Sequence, residues 1–198
     1  KDIELINHAN LNLTAQAGGY LIGTILKLEN TTPNNTAKVV FENRGKITLN
    51  GDNYVSAVVL NPTYSNSLEA SYINNGTIEI NTDRDSGVMN LYGTAISMIL
   101  PDQTTGKVFI KPGNININGS RNGGIVLITK IYDTTAKEID SNIIIDGSNG
   151  LINIGGKSNV GIFLTRNNSK IDSDNGISNF KNLNLFLSGE SVAGISRQ

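Results

Sequence analysis

The stretch Lys111-Pro-Gly-Asn-Ile115-Asn-Ile117-Asn-Gly119-Ser-Arg-Asn-Gly-Gly124-Ile125 decides the fold of this chain, because it recurs. The segment Asn149-Gly150-Leu-Ile152-Asn-Ile154-Gly-Gly156-Lys-Ser-Asn-Val-Gly161-Ile162 matches it position by position. Earlier copies read Gly45-Lys-Ile47-Thr-Leu49-Asn-Gly51 followed by Ser56-Ala57, and Gly76-Thr-Ile78-Glu-Ile80 followed by Gly87-Val88. A later one is Leu185-Phe-Leu187-Ser-Gly189 with Gly194-Ile195, and a faint first copy is Leu11-Asn-Leu13 with Gly18-Gly19-Tyr20-Leu21. The first apolar positions fall at 11, 47, 78, 115, 152 and 185, a period of 31–37 residues, which is the signature of a stacked repeat.

Each unit reads as three short strands separated by turns. The first strand is apolar or alternating (Lys38–Phe41, Ala70–Ile73, Lys107–Ile110, Asn142–Ile145) and ends in an Asn/Gly/Pro turn. The second is the Ile-x-Ile piece, whose period of two puts both branched side chains on one face. A turn with Gly51, Gly119, Gly156 or Gly189 leads to the third strand, such as Val55–Leu60 or Gly124–Thr129, and a variable loop closes the unit. No window carries a clean helical stripe, so helix should be scarce. An antiparallel sandwich also has short strands and frequent turns, but it does not require Ile, Gly and small residues to recur in register. The repeat therefore predicts an all-β fold, a right-handed parallel β-helix of five to six coils with about three short strands per coil. Residues 1–198 form a single segment of it, and the match is weakest over 1–37. Ile47/Leu49, Ile78/Ile80, Ile115/Ile117, Ile152/Ile154 and Leu185/Leu187 should stack inward, with Thr48, Glu79, Asn116, Asn153 and Phe186 outward. Ser56, Gly87, Gly124, Gly161 and Gly194 should mark a bend where a Cβ would clash. The last unit departs by placing Leu183 where the others have Gly.

With 198 residues and 21.2 kDa the chain can bury one good core or two small ones. Its 16 Lys+Arg against 17 Asp+Glu give a net charge of -1, which argues against a nucleic-acid binder and offers no polybasic membrane patch. Charged residues make up only 17%, and the polar surface comes instead from Asn, Ser, Thr and Gly, with 29 Asn and 26 Ile in the chain. The absence of Cys excludes disulfides, a thiolate nucleophile and Cys-based zinc sites, and fits a bacterial secreted or surface protein. The longest apolar run, Ala95–Leu100, is far too short for a membrane helix and stops at Pro101. A chain that begins with Lys1 and shows no signal peptide is expected to be a piece of something longer.

The run Asn-Gly-x-Ile-x-Ile-x-Gly-x-x-Ser-x-Gly-Ile, repeated in an Asn- and Ile-rich chain without Cys, resembles the passenger domains of autotransporter adhesins. It is most similar to the very large fusobacterial type, in which units such as Gly156-Lys-Ser-Asn-Val-Gly161-Ile162-Phe163 recur. The resemblance covers about Lys38 to the end and, weakly, the start. It implies an extended β-helix exported to the outer surface of a Gram-negative cell or secreted, held to the membrane only through a C-terminal β-barrel outside this piece. Filamentous haemagglutinin-like exoproteins share the Asn-x-Gly-x-Ile style and are the nearest confusion.

Candidate chemistry is sparse. Asp85-Ser86-Gly87 resembles the nucleophile stretch of serine-protease autotransporters but lacks the preceding Gly, and the one possible base, His8, lies units away. Asp83/Asp85 and Asp172/Asp174 have the residue type of a glycosidase or polysaccharide-lyase pair, yet lie among Asn, Ser and Arg, where nothing should raise a pKa. These acids, and a calcium loop at Asp172–Asp174 or Asp133–Asp140, are read as solvated turns, and His8 as a surface or end-cap residue. No catalytic residue, metal ligand or cofactor is assigned. Function should reside in the variable loops, Asn61–Asn66, Asn90–Thr105, Ile131–Asp140 and Thr165–Asn175. Tyr64, Tyr92, Tyr132 and Arg166 are the binding candidates, because Tyr and Arg dominate hot spots. The expectation is a non-enzymatic adhesin segment that touches host-cell receptors, glycans or other bacteria. A lyase-like or glycosidase-like enzyme and a structural spacer are the alternatives.

Overall fold

A computed structural model of the chain describes residues 2–16, 19–29, 37–63, 67–83, 93–101, 105–130, 141–166 and 179–197. Among these residues there is no helix, and the strands, numbered β1–β18 in chain order, form three parallel six-stranded sheets. The first sheet holds β1 (Asp2–Asn7), β4 (Ala37–Asn43), β7 (Ser67–Asn74), β10 (Thr105–Lys111), β13 (Ser141–Asp146) and β16 (Asn179–Lys181). The second holds β2 (Leu11–Ala15), β5 (Lys46–Gly51), β8 (Thr77–Thr82), β11 (Asn114–Ile117), β14 (Ile152–Ile154) and β17 (Leu185–Leu187). The third holds β3 (Leu21–Glu29), β6 (Val55–Thr63), β9 (Gly93–Pro101), β12 (Gly123–Lys130), β15 (Val160–Arg166) and β18 (Ala193–Arg197). Each strand is hydrogen-bonded to the strands three before and three after it in the chain. Parallel strands need a long crossover. Here the other two strands of each unit supply it, and the chain is a β-solenoid.

The second sheet follows the repeat residue for residue. Leu11, Ile47, Ile78, Ile115, Ile152 and Leu185 are successive partners, as are Leu13, Leu49, Ile80, Ile117, Ile154 and Leu187. From Ile47 to Ile154 these side chains are at most 1% exposed, so each contributes on the order of 1.5–3 kcal/mol of burial. The first sheet adds Val39, Phe41, Ala70, Tyr72, Val108, Ile110 and Ile145 to the same core. Leu183, standing where the preceding units carry glycine, packs against it.

The third sheet corrects the sequence reading. The strand expected to start at Gly87-Val88 starts instead at Gly93, and Gly93–Pro101, assigned above to a variable loop, is β9. Residues 83–92 intervene between β8 and β9, which displaces the third strand of this unit along the chain. Gly87 lies outside the described residues. The flanking pairs make the small-residue column Gly23, Ala57, Ala95, Gly124, Gly161, Gly194, with Ser56 one position earlier, beside Thr94. The expected crowding is present: a Cβ on Gly124 would sit 2.6 Å from the Gly161 carbonyl oxygen.

Two corners are built from asparagine. Between the first and second sheets, the Asn7 amide donates to the Asn43 side-chain oxygen and Asn43 to that of Asn74, both at 2.8 Å, and Asn74 donates to the Pro112 carbonyl at 2.8 Å. Between the second and third sheets, Asn122 donates to the Thr82 and Asn118 carbonyls (2.9 and 2.7 Å) and accepts from the Gly93 amide (2.9 Å) and the Thr82 hydroxyl. Asn159 repeats the arrangement on the Gly119 and Gly155 carbonyls and accepts from the Asn122 amide. Gly156 at this corner has φ +69°, and a Cβ there would lie 2.1 Å from the Gly119 carbonyl oxygen.

One polar group in the core has no such provision. Tyr72 is 1% exposed, its ring stacks on Phe41 with centroids 5.6 Å apart, and its hydroxyl has no hydrogen-bond partner. Burial drives its ionisation far above the ordinary phenol range. Tyr72→Phe should therefore raise stability by about 1 kcal/mol, read as a higher denaturation midpoint at unchanged m-value.

Candidate binding surface

The strand order gathers most of the length variation at one edge, the exception being 83–92 between the second and third sheets. Residues 30–36, 64–66, 102–104, 131–140 and 167–178 each join a third-sheet strand to the next first-sheet strand. The connections between the first and second sheets are short by comparison; in 44–45 the Asn43 side-chain amide donates to the Gly45 carbonyl, and in 75–76 the backbone amides of Asn75 and Gly76 donate to the Asn43 carbonyl. Of the sequence-derived candidates, Tyr64, Tyr92 and Tyr132 lie outside the described residues. Arg166 ends β15, its backbone paired with Thr129, and its side chain also lies outside them. Asp85, Ser86, Asp133, Asp140, Asp172 and Asp174 are likewise outside, so the carboxylate pairs named from sequence are not assembled among the described residues. Asp83 accepts a 2.6 Å hydrogen bond from Ser120, and His8 is exposed. Among the described residues no three His, Cys, Asp or Glu side chains group as metal ligands.

Several charged groups of the surface are engaged by neighbouring side chains. Arg44 grips Glu42 through two bonds of 2.7 and 2.8 Å, and Asn75 adds a third at 2.8 Å. The Arg44 guanidinium, then the Asn75 amide, hold the Glu42 carboxyl below its usual range. Asp146 is held low by Ser148, whose hydroxyl and backbone amide donate at 2.6 and 3.0 Å, with the Asn182 amide at 3.2 Å. Lys46 pairs with Glu79 at 2.9 Å. Because the folded values of Glu42 and Asp146 lie below the unfolded ones, their contribution is present above the unfolded carboxylate range, about pH 4, and is lost as pH falls through the folded values. The denaturant midpoint should fall as pH is lowered through this window, and Glu42→Gln should flatten that fall; the test is a series of melts between pH 6 and 2.

Along the outer side of the second sheet runs an amide ladder: Asn50 donates to Asn12 (3.5 Å), Asn81 to Asn50 (3.3 Å) and Asn118 to Asn81 (3.2 Å). At the corner where this sheet meets the third stand two tyrosines that the sequence reading passed over. Tyr20 is 81% exposed, and its ring lies 5.9 Å from that of Tyr54, tilted by 46°. Tyr20 precedes Leu21 and Tyr54 precedes Val55, and those two residues are strand partners. A tyrosine at a fixed offset before the third strand was the available signal.

The chain matches no protein-family model, no curated protein and no solved structure. Its surface must be read from its own chemistry. Among the described residues that surface carries an amide ladder, hydrogen-bonded ion pairs and an exposed tyrosine pair, with connections of variable length between the strands.

Proposed function

We propose that this chain is a segment of an extracellular adhesin, a stiff β-helical rod that holds variable segments where host-cell receptors, glycans or other bacteria meet them. The observation that carries this reading is the placement of every third-to-first-sheet connection, short or long, along one edge of the stack, with 83–92 a further long connection between the second and third sheets. Weak contacts repeated along such an edge gain by multivalency. Six strands in each sheet support a count of six coils, and the right-handed rule for parallel crossovers supports a right-handed winding. The resemblance to autotransporter passenger domains supports display on the outer surface of a Gram-negative cell, or secretion. The test is binding of the purified 198-residue chain to host cells and bacteria, before and after 131–140 and 167–178 are replaced by Gly-Ser segments of equal length. Loss of binding with an unchanged melting curve is the expected result. Absence of binding by the native chain makes it a spacer, and release of products from a polysaccharide makes it an enzyme.

A further inference from the structure

The Tyr20–Tyr54 corner has chemistry of its own. Elsewhere the fold buries tyrosine at the cost of an unmatched hydroxyl, as at Tyr72, whereas the Tyr20 ring is left in water at 81% exposure. A rigid ring presents a large apolar face with one polar tip and loses little entropy on binding. Two such rings, 5.9 Å apart and inclined at 46°, form a shallow angled seat rather than a flat plate. Among the described residues of the two turns that carry the seat, none is cationic. Asp52, exposed, lies in the same turn as Tyr54. Asn50, one strand position before Gly51, is a rung of the amide ladder that leads along the second sheet, and Asn50, Asn81 and Asn118 each commit one of their two side-chain N–H groups to the neighbouring rung. No described lysine or arginine lies in the turn 52–54 or in 19–20.

We infer that this corner binds a neutral oligosaccharide, with a pyranose ring laid on the Tyr20–Tyr54 seat and its hydroxyls meeting Asp52 and the free amide N–H groups. This rests on the adhesive reading above and names a ligand class and a place for it. The apolar C–H face of a pyranose matches an aromatic ring, its hydroxyls match amides and a carboxyl group, and the acid at the seat disfavours uronates and sialylated chains. Parallel strands repeat every 4.8 Å or so, close to the repeat of an extended pyranose chain, so consecutive sugars can meet consecutive rungs of the ladder.

The experiment titrates the full chain with cellohexaose, chitohexaose and oligogalacturonate, following saturation transfer to the sugar protons and the tyrosine ring signals by NMR. A neutral oligosaccharide should bind and perturb the rings, Tyr20→Ala should weaken it by about tenfold or more, and Tyr20→Phe by less than about threefold. Tyr20 is so exposed that its variants should melt as the native chain does, and a Tyr54→Phe variant keeps the second ring while removing its hydroxyl. No binding of either neutral sugar, binding indifferent to Tyr20→Ala, or equal binding of oligogalacturonate would overturn the inference. Cell adhesion measured in parallel separates the two readings. A native chain that adheres to cells but binds neither neutral sugar removes this site and leaves the adhesive reading standing, whereas a native chain that binds sugar but no cell removes the adhesive reading alone.

Discussion

Ile117→Asp will cost the fold about 4 kcal/mol or more. Ile117 is fully buried in β11, between Ile80 and Ile154 of the neighbouring second-sheet strands, and no cation faces it among the buried residues there. A carboxylate at that position must either stay ionised in an apolar column or take up a proton, and both routes are unfavourable. The stack is held by contacts between successive units, so the damage also uncouples the units on either side. Asn116→Asp is the control. Its side chain is half-buried on the opposite face, in the outward column between Glu79 and Asn153. An acid there should cost less than about 1 kcal/mol, mostly through repulsion by Glu79. Guanidinium melts followed by circular dichroism measure both. Equal stability of the two variants would mean that the strand faces are assigned the wrong way round.

The second large effect is expected at Asn122. Its side chain serves the Thr82 and Asn118 carbonyls, the Gly93 amide and the Thr82 hydroxyl at a corner from which water is excluded. Asn122→Ala leaves the Thr82 carbonyl, the Thr82 hydroxyl and the Gly93 amide without this partner in the interior, at about 1–3 kcal/mol each, so a loss of about 3 kcal/mol or more is expected. Hydrogen exchange locates the loss, because the Gly93 amide should lose protection before the amides of β14. Asn118→Ala, at an exposed rung of the outer ladder, should change stability by less than about 0.5 kcal/mol.

The second sheet was legible because its signal is doubly constrained. A residue such as Ile117 must be apolar to face the core and must recur at the unit length to meet Ile80 and Ile154. The third strand of the third unit was not legible. Residues 83–92 separate it from β8, and a Gly-Val pair inside that interval imitates the motif that actually begins at Gly93. Ser56 and Thr94, which bond to each other in the interior at 2.7 Å, also look like surface residues by composition alone. The corner tyrosines escaped notice for a different reason. Tyr20 and Tyr54 sit on the repeat, where a recurring aromatic ring reads as architecture. The buried Asn122 and Asn159 were recognisable as turn residues, but their role of bonding across units follows only from the stacking.

The orientation of the hydrogen bonds has a mechanical consequence. All three sheets direct them from one strand to the strand three further on, along the length of the stack. A pull applied along that length does not shear many bonds at once, as it would in strands drawn past each other. It opens them in sequence from the loaded tip, so the molecule should yield by unspooling unit by unit, each unit being held only by its neighbours.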